Sequence, residues 1–446
     1  VTQQCIISIQ CPLPKSISAV YAALLINEVY TFIIPHYLGT KPFCVSLFSS
    51  IKGLLKFVSL NPISNCTLMP DFESILDFLE PVNLYELSED EGYKETQLGK
   101  HILVNDEFFP DLAGADLVIV GFGESRGMGP LRNVNAGPDA IRKEFYSLFQ
   151  WHTDVQVADV GNVRPGATLQ DSYAALKSVV NELIRHNKRV VILGGSHDLT
   201  KAQYRAYADL EQIIEATCVD ARIDLNMDSV LPSDHFLMEM LVGEPNFIRH
   251  YNHIGFQSYF VHPTMLETID RLRFDCFRVG RVKEKMDEME PVIRNSNLFS
   301  FDISAIQNSH APANWITPNG FSGEEACMLM QYAGMSHHLN TIGIYGYLPD
   351  QDQHNLTAKQ ISHMLWYLMD GVNKGKHEAK LEDRDSFNEF RLAFAELETT
   401  FLQSKRTGRW WMEIPDGKMI ACSHLDYMIA SANDIPERWL RAVERT

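Results

Sequence analysis

Three short segments of this chain carry the side chains best suited to chemistry. The first is Gly194-Gly195-Ser196-His197-Asp198, the second Asp220-Ala221-Arg222-Ile223-Asp224, and the third Ser300-Phe301-Asp302-Ile303-Ser304. Each follows or ends an apolar, strand-like run, so in a parallel sheet all three would reach one rim. One imidazole and three carboxylates, His197, Asp220, Asp224 and Asp302, make a hard-to-borderline ligand set for a divalent cation. Without a cation, neighbouring carboxylates would repel, and would take up protons or recruit a basic partner. The paired glycines permit a tight turn and a close approach of backbone to a ligand. Taken singly, the same residues suit structural work, since Asp after a strand caps helices and forms turns. Three such segments together favour a site.

The elements that must position these residues follow a repeated pattern of strand, loop and helix from about residue 115. Eight apolar runs read as strands: 115–121, 155–160, 189–193, 216–219, 253–257, 275–279, 298–303 and 341–347. Helical patterns cover 137–150, 171–185, 200–215, 323–334 and 357–370, with Pro138 well placed in a first turn. Continuous apolar strands alternating with helices imply an α/β protein whose mostly parallel sheet is covered on both faces. In such sheets ligands bind beyond the carboxyl ends of the strands. The stretch 407–415 reads as an edge strand or hairpin, and 434–445 as a short final helix.

Three regions are expected. Residues 1–68 form an atypical extension with only five charged residues and four of the eight cysteines. Residues 69–377 form the main domain with its lead-in, and 378–446 a C-terminal extension packed on it. The formal charge of −18 argues against nucleic acid, which demands a positive field. No CxxC pair is present, which argues against a disulfide framework or a thiolate zinc site. A reducing, cytoplasmic setting fits those cysteines. No apolar run is long enough for a membrane span: the nearest, 16–38, is broken by Asn27, Glu28, Pro35 and His36.

The three segments resemble those of the ureohydrolase family: arginase, agmatinase and formimidoylglutamase. GPDAIRK (137–143), SFDISAIQNSHAPA (300–313) and TPNGFSGEEA (317–326) carry the likeness further. It spans roughly residues 110–372. With GRWWMEIP (408–415) and DIPERW (434–439), the chain looks most similar to the Bacteroidetes-type formimidoylglutamase or arginase-like proteins. The resemblance implies a three-layer α/β/α fold around an eight-stranded, mostly parallel sheet. It also implies homo-oligomers, a small amidine or amino-acid-like ligand, and hydrolysis of a C–N bond by a hydroxide bridging two Mn²⁺ ions.

Carried over position by position, His197, Asp220, Asp224 and Asp302 would hold the first ion. The second would share Asp220 and Asp302 and add a His and an Asp, where this chain has Arg222 and Ser304. A guanidinium has donors and no acceptor, so it cannot ligate a cation. Gly346 stands where the family places a substrate-contacting Glu. One Mn²⁺ or other divalent ion is therefore expected, with no second ion and no organic cofactor. Arg222 is expected to fill the second-ion space in bidentate pairs with one or two of Asp220, Asp224 and Asp302. Three carboxylates, one divalent ion and Arg222 would then sum to zero charge. Asp198 and His235 are candidate proton shuttles, and Arg222 a candidate holder of a substrate carboxylate. Glu124, Ser125, Arg126 and Arg132 would either line the mouth of the site or serve as solvated surface. The implied protein is a divergent ureohydrolase with a degraded binuclear site, weakly active or a pseudoenzyme with a structural or ligand-binding role. The alternative is a formimidoylglutamase-like hydrolase converting N-formimidoyl-L-glutamate to L-glutamate and formamide.

Overall fold

The computed structural model describes residues 72–88, 92–129, 136–394 and 397–444. The extension 1–68 and Arg132 lie outside the described residues. All eight predicted strands are present: β1 (Leu117–Gly121), β2 (Val157–Val163), β3 (Arg189–Leu193), β4 (Ile214–Val219), β5 (Ile248–Phe256), β6 (Asp275–Arg278), β7 (Leu298–Asp302) and β8 (Thr341–Tyr345). They lie in the order β2-β1-β3-β8-β7-β4-β5-β6, all parallel. Leu79–Glu80 and Leu103–Val104 both pair with β2, the first antiparallel, bringing the sheet to ten strands.

Successive side chains on a strand point to opposite faces. Here the alternation divides the core in two. Ile119, Val191, Phe299 and Ile342 face one apolar cluster, with helices Gly137–Tyr146, Gly323–Met335 and Leu356–Lys376 packed over them. Val118, Val190, Leu298 and Cys218 face the other, under Leu169–Arg185 and Thr200–Ala208. The result is the expected three-layer α/β/α arrangement. No helix among the described residues is long and apolar enough to cross a membrane.

Several boundaries differ from the sequence reading, each for a local reason. The helix predicted over 137–150 ends at Tyr146 because Leu148 and Gln150 are drawn into hydrogen bonds with Leu98 and Thr96. The helix predicted over 200–215 ends at Ala208, and Glu211 at φ 53° reverses the chain into β4. The stretch 407–415 is not an edge but the first arm of a hairpin with Met419–Cys422, the second of the two forms expected. Its core, Trp410–Glu413, is an inner strand of a four-stranded antiparallel sheet with Phe387–Phe394, Leu397–Ser404 and Met419–Cys422. None of those three partner strands was foreseen. The tail is tied to the sheet domain by Arg294 Nη1, which donates to the Trp410 carbonyl at 2.7 Å, and by Arg409 Nη1, which donates to the Met335 carbonyl at 3.1 Å.

The strand order is what assembles the site. β3, β8, β7 and β4 are direct neighbours. The register sets Leu193 and Phe301 on either side of Ile344, and Val219 beside Phe301. The residues just beyond these strand ends therefore meet at one rim.

Candidate metal centre

β3 stops at Gly194 and Gly195, both at positive φ (85° and 82°), a conformation glycine adopts without steric cost. This turn delivers His197 into a single 3₁₀ turn above the sheet. The imidazole is buried, packed edge-on against Phe236 with ring centroids 4.8 Å apart. Its Nε2 lies 2.8 Å from Ser300 Oγ, which in turn lies 2.7 Å from Thr200 Oγ1. With Nε2–H donating to Ser300, the Nδ1 lone pair is free to act as a ligand. Nδ1 faces Asp220 Oδ2 at 3.0 Å, Asp224 Oδ2 at 3.1 Å and Asp302 Oδ2 at 3.8 Å. Ligand atoms of His197, Asp220 and Asp302 all lie within 4.8 Å of one another.

The two faces of this cluster are unlike. On one side, Asp220 Oδ1 accepts the Arg222 backbone N–H at 3.0 Å and the Ser304 hydroxyl, while Asp302 Oδ1 accepts the Ser304 backbone N–H at 2.8 Å. On the other side, Asp220 Oδ2 and His197 Nδ1 are buried with no hydrogen bond. One divalent cation between them would satisfy both, so the residues present fit a single ion. A second cation beside Arg222 and Ser304 would meet donors where ligands are needed.

The protonation pattern reflects the same crowding. Burial, followed by the charge of Asp220, pushes the Asp224 carboxyl up to about 7. Burial and Asp220 raise Asp302 as well. Burial also opposes ionisation of Asp220, but His197, Arg222 and the Ser304 hydroxyl hold it below the usual carboxylate range. Burial disfavours the His197 imidazolium, yet Cys218, Asp220 and Asp224 outweigh it and raise the ring above its ordinary range. In the absence of a cation, the cluster therefore holds protons in its place.

Arg222 does not make the carboxylate forks expected of it. Its Nη1 lies 3.3 Å from Asp234 Oδ1, only its backbone N–H meets Asp220, and its Nε is buried without a partner. Asp234, a fourth carboxylate, enters from the turn Pro232–Asp234, so the zero-sum charge balance does not hold. Gly346 sits at φ 79°, and a Cβ there would lie 2.7 Å from Asp302 Oδ2. A side chain at this position would collide with the cluster.

Asp198 is engaged elsewhere, while His235 keeps a buried Nδ1 without a hydrogen bond. Asp198 accepts the hydroxyls of Tyr173 and Ser196, and lies against Gly127. His235 precedes helix Phe236–Val242 and lies 3.8 Å from Glu239. Neither is hydrogen-bonded to the cluster. Glu124 is buried and braced by Arg126 and Ser172, which makes it a loop fastening. The sequence reading missed Ser300, Cys218 and Asp234. The period-2 alternation of strands could have found the first two, since Ser300 and Cys218 stand two residues before Asp302 and Asp220. Asp234 carried no such signal.

Fold and site together define a three-layer α/β/α protein with a carboxylate–imidazole cation pocket at the ends of its central strands. Residues 115–370 match the arginase family, and the chain belongs to that family, within the ureohydrolase superfamily. It is 22% identical over 289 residues to a formimidoylglutamase from Streptococcus gordonii, covering 59% of this chain and 87% of that protein. An agmatinase from Blochmanniella floridana is 25% identical over 256 residues, covering 53% and 81%. In fold, the chain is similar to formimidoylglutamase from Bacillus subtilis, with a TM-score of 0.57 at 18% identity, covering 65% of this chain and 97% of that one. It is similar too to Trypanosoma cruzi formiminoglutamase with Mn²⁺, with a TM-score of 0.53 at 18% identity, covering 58% and 94%. These relatives span two activities, and the superfamily is the level at which they agree.

Proposed function

We propose that this protein is a divergent ureohydrolase that holds one divalent cation, Mn²⁺ or a similar ion, at His197, Asp220, Asp224 and Asp302. In this reading it binds a small amidine or amino-acid-like ligand and turns it over weakly or not at all. The observation that carries the reading is the asymmetry of the cluster. The orphaned His197 Nδ1 and Asp220 Oδ2 face one ion position, while the chain's own donors cap the oxygens that would serve a second.

Each residue has a definite part. Ser300 Oγ, 2.8 Å from Nε2, is placed to accept the Nε2–H, the tautomer that leaves Nδ1 as the ligand nitrogen. The Ser304 hydroxyl and the Arg222 N–H occupy Asp220 Oδ1. Gly346 leaves no carboxylate to hold an amidine nitrogen. A bound ion would supply Lewis acidity and a lowered pKa for a water. The cavity beside Arg222, Asp302, Ser304, Asn314 and Gly346 measures about 20 Å³, room for roughly one water-sized group.

A second reading is formimidoylglutamase-like hydrolysis, in which water is added across the C–N bond of N-formimidoyl-L-glutamate to give L-glutamate and formamide. The partly exposed Arg222, with its unpartnered Nε, supports this reading as a holder of the substrate carboxylate. Metal analysis of the purified chain, with hydrolysis assays on formimidoylglutamate, arginine and agmatine, separates the two. About one ion per chain with negligible turnover supports the first. Metal-dependent turnover at about 1 s⁻¹ or faster overturns it in favour of the second.

A further inference from the structure

We propose that Asp234 is a positioning residue that holds the Arg222 guanidinium off the cluster and keeps the cation pocket open. The inference rests on the single-ion reading. Arg222 begins beside the carboxylates, because its backbone N–H is bonded to Asp220 Oδ1 and Asp224 follows two residues later. A planar fork in such surroundings pairs bidentately with a carboxylate when one is in reach. That arrangement would put donors where an ion needs lone pairs.

What opposes it is a carboxylate built into a closed loop. Asp234 Oδ2 accepts the Ser229 hydroxyl at 2.7 Å, and Ser233 lies 3.5 Å from Oδ1. The Asp234 carbonyl accepts the Asn226 N–H at 2.9 Å, and its own N–H donates to Leu231 at 3.0 Å. This fixed group draws Nη1 outward to 3.3 Å and leaves Nε unpartnered. A guanidinium free to choose would pair more fully. Asp234 thus makes no hydrogen bond to His197, Asp220, Asp224 or Asp302 and acts on the ion position through Arg222.

The test is Mn²⁺ affinity, read by titration calorimetry and by the electron paramagnetic resonance signal of free Mn²⁺, on the full chain. Asp234→Asn is expected to weaken Mn²⁺ binding by roughly tenfold or more, the range seen when groups supporting a metal ligand set are lost. The double variant Asp234→Asn with Arg222→Gln is expected to recover wild-type affinity. Asp234→Asn with Arg222→Lys keeps the charge but lacks the fork, and is expected to recover part of it. An unchanged Asp234→Asn overturns the inference, as does a loss that removing Arg222 does not repair. A Lys variant as weak as Asp234→Asn overturns it in favour of through-space repulsion. If Asp234→Asn does not fold, Ser229→Ala should give a smaller drop in the same direction, and no drop overturns the inference. A wild-type chain that takes up no Mn²⁺ overturns the single-ion reading, and this inference with it. Wild-type binding with indifferent variants overturns the inference alone.

Discussion

Two clusters of buried charge in this protein are built on opposite plans. Where the tail meets the sheet domain, Glu290, Arg294, Glu378 and Arg409 bring two charges of each sign around Trp411. Arg294 Nε donates to Glu290 at 2.9 Å, and Arg409 Nε to Glu378 at 3.0 Å. The hydroxyls of Ser404 and Thr407 complete Glu378, and the guanidinium carbons of Arg294 and Arg409 lie 4.5 and 5.6 Å from the Trp411 ring. In the pocket, three carboxylates converge on one imidazole, and the Arg222 guanidinium is turned toward Asp234. A cluster that balances its own charge fastens two parts of a chain together. A cluster left short of positive charge is arranged to receive it.

The sharpest way to break this contrast is at the fastening. Arg409→Ala leaves Glu378 buried and unpaired, so stability should fall by about 3–5 kcal/mol in a denaturant titration. A loss near zero would mean the tail is not held by charge.

The pH response should differ in sign between the two clusters. Burial opposes ionisation of Glu378, but Ser404, Thr407 and Arg409 hold its pKa below the ordinary value. Its contribution is present above 4.5 and is lost as pH falls through the folded-state pKa. Asp224 is raised from 3.8 to about 7 without a cation. The folded chain then binds more protons than the unfolded one in that window. The stability it contributes is therefore present below 3.8 and lost as pH rises through 7, on the order of 2–4 kcal/mol. Denaturant titrations in a chelator between pH 5 and 8 should show this decline, and saturating Mn²⁺ should abolish it. A decline that survives Mn²⁺ would remove Asp224 from the ion's ligands.

Smaller effects sharpen the picture inside the pocket. Gly346→Ala meets both the positive φ and the Asp302 carboxylate, and should cost about 2 kcal/mol in thermal or chemical unfolding. Ser304→Ala removes the hydroxyl donor to Asp220 Oδ1 and should cost about 1 kcal/mol. Mn²⁺ stoichiometry should remain at one, because the Arg222 N–H still caps that oxygen.

Much of the scaffold was legible because burial on both faces leaves a plain mark: runs such as RVVIL at 189–193 became strands with the predicted bounds. That His197, Asp220, Asp224 and Asp302 would gather at one rim was legible for a related reason, since each stands within five residues of the end of such a run. The tail sheet was not, because FNEFRLAF (387–394) mixes buried and exposed residues without an apolar run. The helix ends near 146 and 208 moved because hydrogen bonds to distant segments, or a single positive φ, outweighed local helical preference.

Read alone, the sequence determined the layered α/β plan, the rim on which the polar residues gather, and the chemical types present there, because periodicity and residue identity are local. Tertiary structure alone decided which oxygen of Asp220 stays free, that Arg222 answers to Asp234, and that a side chain at position 346 would press on Asp302. These outcomes depend on groups brought within a few ångströms by strand order and turns. Electrostatic pairing and steric exclusion act over those distances in space, whatever the separation along the chain.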